Sequence, residues 1–366
     1  MSKTKLMIAA AAIATIPATV QAEDYPFIVE ALPPHLAERA AAQGNQLLLG
    51  SITAPDDFFI SGLKVWNTTQ PIRVCFYGGP IPVRSRIAQI ANQWTMHGGY
   101  LPLDFGSLDS PRSCATSEFN QIRVGFAYKG YWSMVGTDSV NLAAQYEQSM
   151  NLALYDINPP TEPTFSRVVL HEFGHALGFQ HEHQRPGSPC VTDFNWDAIY
   201  AYLQGPPNYW SIEQIDHNLR PREQPGDQTG PFFDQDSVML YSFPISFYNA
   251  GTNAECYTPG NNNISDADVA GLLRFYPAAI SDQAQVQEDA LQGFFATIDA
   301  LADASEEAKA VAKLTASSLS QGSNVFFTPA RSPWTQMDTT NFFATADKPV
   351  EILDVPALYL SPPPKM

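Results

Sequence analysis

The stretch His171-Glu172-Phe173-Gly174-His175-Ala176-Leu177-Gly178-Phe179-Gln180-His181-Glu182-His183-Gln184-Arg185-Pro186 decides how the chain is read. His171 and His175 are four residues apart, so on a helix they share one face, one turn from each other. Glu172 can reach the edge of that face. Gly178 takes a left-handed conformation without steric cost, which lets the helix end and the chain turn back. His181 then has a route to the same point in space. Three neutral imidazoles converging on one point make a zinc site with an open fourth position. A carboxylate beside such a site can take a proton from bound water. Four of the seven histidines lie between His171 and His183. A helix with scattered surface or core histidines explains neither the clustering nor the spacing.

The spacing HExxHxxGxxH resembles that of the metzincin metalloproteases. A second segment, Ser237-Val238-Met239-Leu240-Tyr241, is similar to the methionine turn of that group. By this resemblance Met239 packs beneath the histidines without binding metal. Tyr241 is then a displaceable zinc ligand whose phenol moves to hydrogen-bond the oxyanion when substrate enters. Read alone, the same five residues also fit an ordinary core strand. Glu182, directly after the third histidine, resembles the astacin branch, as do His183 and Arg185-Pro186. Trp66 with Pro71-Ile72-Arg73-Val74 resembles the first strand of an astacin domain. Phe194-Asn195-Trp196-Asp197-Ala198-Ile199 resembles the segment after the third ligand. Ile264-Ser265-Asp266-Ala267-Asp268, leading to Leu273-Arg274-Phe275-Tyr276, resembles the closing helix. The resemblance spans residues 60–277. One departure is Gly187-Ser188-Pro189-Cys190, where astacins commonly carry an acidic, arginine-containing run. The sequence is thus identified as that of a divergent, bacterial-type, astacin-like zinc metalloprotease.

That resemblance implies an α+β fold. It comprises a metzincin catalytic domain with a twisted mixed sheet, a zinc-binding active-site helix and a methionine turn, followed by a mainly helical C-terminal extension. It implies Zn2+ as cofactor, His171, His175 and His181 as ligands with Tyr241 as the displaceable one, and Glu172 as general base in peptide hydrolysis. Gly178, Met239 and Glu182 take structural roles. The substrate is expected to be a protein or peptide. The alternatives are a specialised glycoprotein-directed metzincin, or a catalytically silent binding protein on the same scaffold. Glu182, and the lack of glycine-rich calcium repeats, argue against a serralysin.

Lys3 and Lys5 followed by the apolar run Leu6–Ile16 read as a secretory leader, with Val20-Gln21-Ala22 placing cleavage after Ala22. Residues 1–22 are therefore expected to be removed and the protein to be periplasmic or secreted. No later stretch is long and apolar enough to suggest membrane insertion. The formal charge is −17, and loss of the leader with its two lysines makes it −19. Such a balance argues against nucleic acid or anionic lipid as partner, and a monomer is expected. Cys75, Cys114, Cys190 and Cys256 form an even set suited to an oxidising compartment. Of the three possible pairings, Cys75–Cys114 with Cys190–Cys256 is favoured, one bridge in each half around the histidine helix.

Residues 23–56 read as a prosegment or N-terminal extension, with Asp56 or Asp57 as a candidate occupant of the zinc site. Residues 57–278 read as the catalytic domain, and 279–366 as a helical extension and tail. Ile72–Tyr77, Gln121–Phe126 and Met150–Leu154 are strand candidates. Val83–Met96 has a helical period. Gly130-Tyr131-Trp132-Ser133, leading to Val135–Asp138, reads as an edge strand along the cleft, where an extended substrate could add main-chain hydrogen bonds. Residues 205–235, rich in Gly, Pro, Asp and Gln, read as loops of the lower half. Asp282–Leu301 and Ser305–Leu319 read as two helices with acidic faces. The remaining residues to Met366, with Phe326, Phe327, Trp334, Phe342 and Phe343, read as a cap on the domain or as a binding segment.

Overall fold

A computed structural model describes residues 32–48, 63–115, 118–185, 187–206, 208–220, 232–300, 302 and 304–320. The expected leader, Asp56 and Asp57, and the aromatic residues beyond position 320 lie outside the described residues. So does Pro186.

Five strands form one mixed sheet in the order β2-β1-β3-β5-β4. They are β1 (Ile72–Phe76), β2 (Leu103–Asp104), β3 (Ile122–Gly125), β4 (Tyr131–Ser133) and β5 (Met150–Leu152). β1 runs parallel to β2 and β3, and β3 runs parallel to β5. β4 is antiparallel to β5 and lies at the sheet edge, Trp132 opposite Asn151. β1 and β3 are apolar with few breaks, as strands covered on both faces must be. Val74, Phe76, Ile122 and Val124 are fully buried.

Two helices supply most of the cover. α2 (Ile81–Ala91) packs against α3 (Thr164–Ala176), which carries His171 and His175. The helical period expected over Val83–Met96 divides in two. The α-helix ends at Ala91, and Asn92–Met96 tightens into a 3₁₀ turn. The tightening seats Trp94 fully buried against α3, where its indole Nε1–H donates to the Leu170 carbonyl at 3.0 Å. Ile87, Ala91, Trp94, Phe165, Val169, Phe173 and Met239 belong to one apolar core beneath the sheet.

After His181 the architecture changes. A 3₁₀ turn (Glu182–Gln184), a one-turn helix (Cys190–Asp193), α4 (Trp196–Leu203) and α5 (Ile212–Leu219) enclose a separate core of Phe194, Ile199, Leu203, Ile215, Leu240, Phe243 and Phe247. Ser211 caps α5 through a capping box with Gln214. Cys190 is bridged to Cys256 in this half, and Cys75 to Cys114 in the other. α6 (Asp266–Phe275) then returns to the main core through Leu272 and Phe275.

The chain ends meet. α1 (Pro34–Leu48) packs against α8 (Glu306–Ser320), and α8 against α7 (Ile280–Ala300). Leu36, Phe294, Ile298, Ala312 and Ala316 form a third apolar cluster with Leu63, Trp132, Met134 and Leu142. Polar contacts fix α1 in place. Arg39 pairs with Glu147 at 2.7 Å and Gln43 donates to Asp138 at 3.0 Å. Buried Lys64 pairs with the same Asp138 at 2.7 Å. An N-terminal and a C-terminal segment, read separately along the sequence, thus form one helical layer behind β4. No described helix is long and apolar enough to cross a membrane.

Candidate metal centre

α3 ends in a way that brings the third histidine back. Gly178 adopts φ 105°, a left-handed conformation that disfavours a Cβ. The Phe179 N–H then donates to the Gly174 carbonyl at 3.0 Å and the Gly178 N–H to His175 at 2.8 Å. This is the paired-bond Schellman ending. The last carbonyls of the helix would otherwise be orphaned. His175 also accepts from the Gly136 N–H at 2.9 Å. Ala176 accepts from the Trp66 indole at 2.7 Å, and Leu177 from the Tyr276 hydroxyl at 2.8 Å. Every carbonyl from Phe173 to Leu177 therefore has a donor, so the C-terminal turn of α3 is held from several directions.

The three histidines converge. His175 Nε2 lies 3.1 Å from His171 Nε2 and 3.0 Å from His181 Nε2. Each ring is oriented from its other nitrogen. His171 Nδ1–H donates to the Val238 carbonyl at 2.7 Å. His175 Nδ1–H donates to the Phe179 carbonyl at 2.7 Å, and His181 Nδ1–H to Gln184 Oε1 at 3.2 Å. An oxygen acceptor at Nδ1 requires the proton there, so Nε2 is the lone-pair nitrogen in all three rings. Three lone pairs at this spacing repel one another, and a cation among them turns repulsion into ligation. Tetrahedral nitrogen ligands at about 2.0–2.1 Å from zinc lie about 3.3 Å apart. The donor set therefore fits zinc, and among the described residues it is the one cluster of His, Cys, Asp or Glu able to hold a metal ion.

Tyr241 and Met239 reach this point from the other side of the chain. The Tyr241 ring lies 4.5 Å from the His181 ring and 5.0 Å from His171, centroid to centroid. Ser237–Leu240 is a tight turn closed by Leu240 N–H to the Ser237 carbonyl at 3.1 Å, and is not a core strand. Met239 is buried in it. A Cβ placed on Gly174 would run into the Met239 sulfur and the Trp94 ring. Gly174 is therefore the residue that lets the turn approach the helix. Glu172 is on α3 beside His171 and is 2% exposed.

Asp268 braces the turn. It completes the Ser265 capping box of α6. It also accepts from Ser237 Oγ at 2.6 Å and from the Val238 N–H at 2.9 Å. Burial pushes its carboxyl up, and these hydrogen bonds pull it back. The capping role joins residues three apart, but the second role depends on a contact thirty residues away.

Glu182 is tied to the segment around the turn. Its N–H donates to the Met239 carbonyl at 3.1 Å, and its Oε1 accepts from the Asp234 N–H at 2.9 Å. Arg185 lies 3.4 Å from the same oxygen. Burial pushes the Glu182 carboxyl up to about 7, against the lowering effects of the Asp234 N–H and Arg185. The structure thus gathers His171, His175, His181 and Tyr241 in one place, sets Met239 against α3, and uses Glu182 to join the third histidine's segment to the turn. Of the two disulfides, Cys190–Cys256 begins nine residues after His181, whereas Cys75–Cys114 lies wholly before α3 in the chain.

The chain is similar to known proteins over part of its length. Residues 113–266 match the astacin family, peptidase family M12A. A stretch of 84 residues, 23% of this chain, is 32% identical to the zinc metalloproteinase nas-13 of Caenorhabditis elegans. That match spans 16% of the nas-13 protein. A structure of myroilysin is 32% identical with a TM-score of 0.48, the match covering 58% of this chain and 96% of the other. The medaka (Oryzias latipes) hatching enzyme zinc-protease, high choriolytic enzyme 1, is 19% identical with a TM-score of 0.36, covering 57% of this chain and 90% of the other.

Proposed function

We propose that the chain, which is similar to the astacin family over residues 113–266, is an astacin-like metzincin and a zinc endopeptidase acting on internal peptide bonds of polypeptides. The observation that carries the reading is the convergence of three imidazole Nε2 atoms, each ring oriented by an oxygen at Nδ1. Residues 57–278 form the catalytic domain in this reading.

His171, His175 and His181 would hold the zinc. When bound, zinc supplies Lewis-acid polarisation of the scissile carbonyl and acidifies a water toward neutral pH. Glu172 takes the proton of the attacking water and delivers it to the departing amine. Its burial favours this work, because a charge held away from bulk water acts on its neighbours with less screening. The Tyr241 phenol stands against His171 and His181 and donates a hydrogen bond to the oxyanion as the tetrahedral intermediate forms. Edge strand β4 offers main-chain groups to an extended substrate. That arrangement selects unfolded or loop segments over packed ones.

Residues 1–22 act as a leader that carries the chain out of the cytoplasm. Two disulfides suit an oxidising compartment. The mature protein works there as a monomer.

Metal analysis of the purified chain tests the assignment. One zinc per chain is expected, lost in the His171→Ala/His175→Ala double variant and retained in Glu172→Ala. A zinc content unaffected by the histidine changes would place the metal elsewhere and sink the reading.

A further inference from the structure

Backbone carbonyls meet the two histidines of α3 at Nδ1, and the third histidine, His181, is met differently. Its Nδ1–H meets a side chain, Gln184 Oε1, at 3.2 Å. The amide of Gln184 is itself held. Its Nε2 donates to the His217 carbonyl at 2.8 Å and lies 3.4 Å from the Arg220 carbonyl. Both carbonyls belong to the end of α5, where helix geometry leaves acceptors without intrahelical donors. The neighbouring His183 Nε2–H donates to the Asn218 carbonyl at 2.9 Å. The 3₁₀ turn after His181 therefore caps the C-terminus of α5 with two side chains. These carbonyls also fix which way the amide points. Nε2 must face them, so Oε1 must face His181.

α5 is in turn anchored to α4. Arg220 Nε donates to Asp216 at 2.7 Å, and Arg220 Nη2 donates to the Tyr200 hydroxyl at 2.7 Å. The Arg220 guanidinium lies 4.1 Å above the Trp196 ring. A continuous set of contacts thus runs from Trp196 and Tyr200 through the end of α5 to Gln184 and His181.

We propose that Gln184 is the positioning residue of the third zinc ligand, fixing the tautomer and ring direction of His181 and tying both to the end of α5. This rests on the zinc reading above. Gln184 touches neither substrate nor the reacting atoms. It acts through His181, as outer partners of metal-bound histidines do.

The test is zinc affinity, measured by competition with a chromophoric chelator on the full-length protein, for wild type, Gln184→Met and Gln184→Glu. Thermal melting of each metal-free variant is recorded in parallel. Met fills the same space and accepts no useful hydrogen bond, so zinc affinity should fall about 10–100-fold. Glu keeps the acceptor for His181 Nδ1–H but loses the donor to the α5 carbonyls. Its affinity should stay close to wild type, without the roughly 10–100-fold loss of a removed outer partner. A role confined to clamping α5 predicts the opposite pattern, with Glu as weak as Met and both metal-free melts lowered. Equal affinity in all three proteins would also overturn the proposal. Should Gln184→Met fail to fold, Gln184→Glu decides alone, since clamping predicts a loss of affinity there and positioning predicts affinity kept near wild type. The double variant His181→Ala/Gln184→Met adds a cycle. Gln184→Met should no longer change affinity once His181 is absent. Failure of wild type to bind zinc would defeat the functional reading itself, and that result is distinct from any of these.

Discussion

The two halves of the molecule present the proposed zinc donors by different means. Above, His171 and His175 sit one turn apart on α3, which is packed into the main core and held at its C-terminus by Trp66, Tyr276 and Gly136. Below, His181 and Tyr241 sit on irregular chain. Among the described residues that half has no named strand, only the Phe194–Tyr248 bridge, short helices and the Cys190–Cys256 disulfide. The first pair of side chains is placed by helix period. The second is placed by contacts distant in sequence, from Asp268 to the turn at Ser237–Leu240 and from α5 to Gln184. A site built in this way has one rigid wall, and a second wall only as firm as its side-chain hydrogen bonds and its covalent staple.

The contrast can be broken by changing one wall at a time. The largest effect is expected from His175→Ala, because His175 Nε2 stands between the other two donors. Zinc affinity should fall by more than about 100-fold, beyond the 10–100-fold of an outer-partner change. Chelator competition reads this directly, while the metal-free melt stays near wild type.

Removal of the lower disulfide by Cys190→Ser/Cys256→Ser should cost about 2–5 kcal/mol of stability and weaken zinc binding as well. The upper pair, Cys75→Ser/Cys114→Ser, should lower stability but leave zinc affinity unchanged. β1 retains β2 and β3 as neighbours, and neither cysteine supports a donor. Equal effects of the two pairs on zinc affinity would remove the distinction between the walls. Gly174→Ala addresses the contact between them. The added methyl meets Met239 and Trp94, so about 1–3 kcal/mol should be lost by overpacking, read by urea denaturation. The smallest effect belongs to the layer behind β4. Arg39→Ala removes a partly exposed pair with Glu147 and should cost about 1 kcal/mol or less, with peptidase activity unaltered.

These differences also explain what could be read from the sequence. The histidines, Glu172 and Gly178 were legible because helix period and a left-handed glycine are local properties. The Ser237–Tyr241 segment was ambiguous in itself and became interpretable only beside the histidine motif. Its turn depends on Asp268, which the sequence places only in the segment resembling the closing helix. Nothing local marks Gly174 within the motif, and its necessity appears only when Met239 is placed against it. Gln184 carried no signal, since an amide three residues from a ligand can point anywhere until the end of α5 fixes it. The packing of α1 on α8 was invisible for the same reason. The two helices lie more than 250 residues apart in the chain, and amphipathic helices do not declare their partners.

The most direct test of the account is cleavage of an unfolded protein such as reduced casein by the purified processed enzyme. It is followed before and after chelation, after zinc is restored, and with Glu172→Ala in parallel. The account predicts cleavage within the chain that is lost on chelation and regained with zinc. It also predicts a rate about 10²–10⁴-fold lower in Glu172→Ala, the span typical of a general base, with zinc content unchanged. A zinc-loaded Glu172→Ala protein that cleaves at the wild-type rate would contradict it.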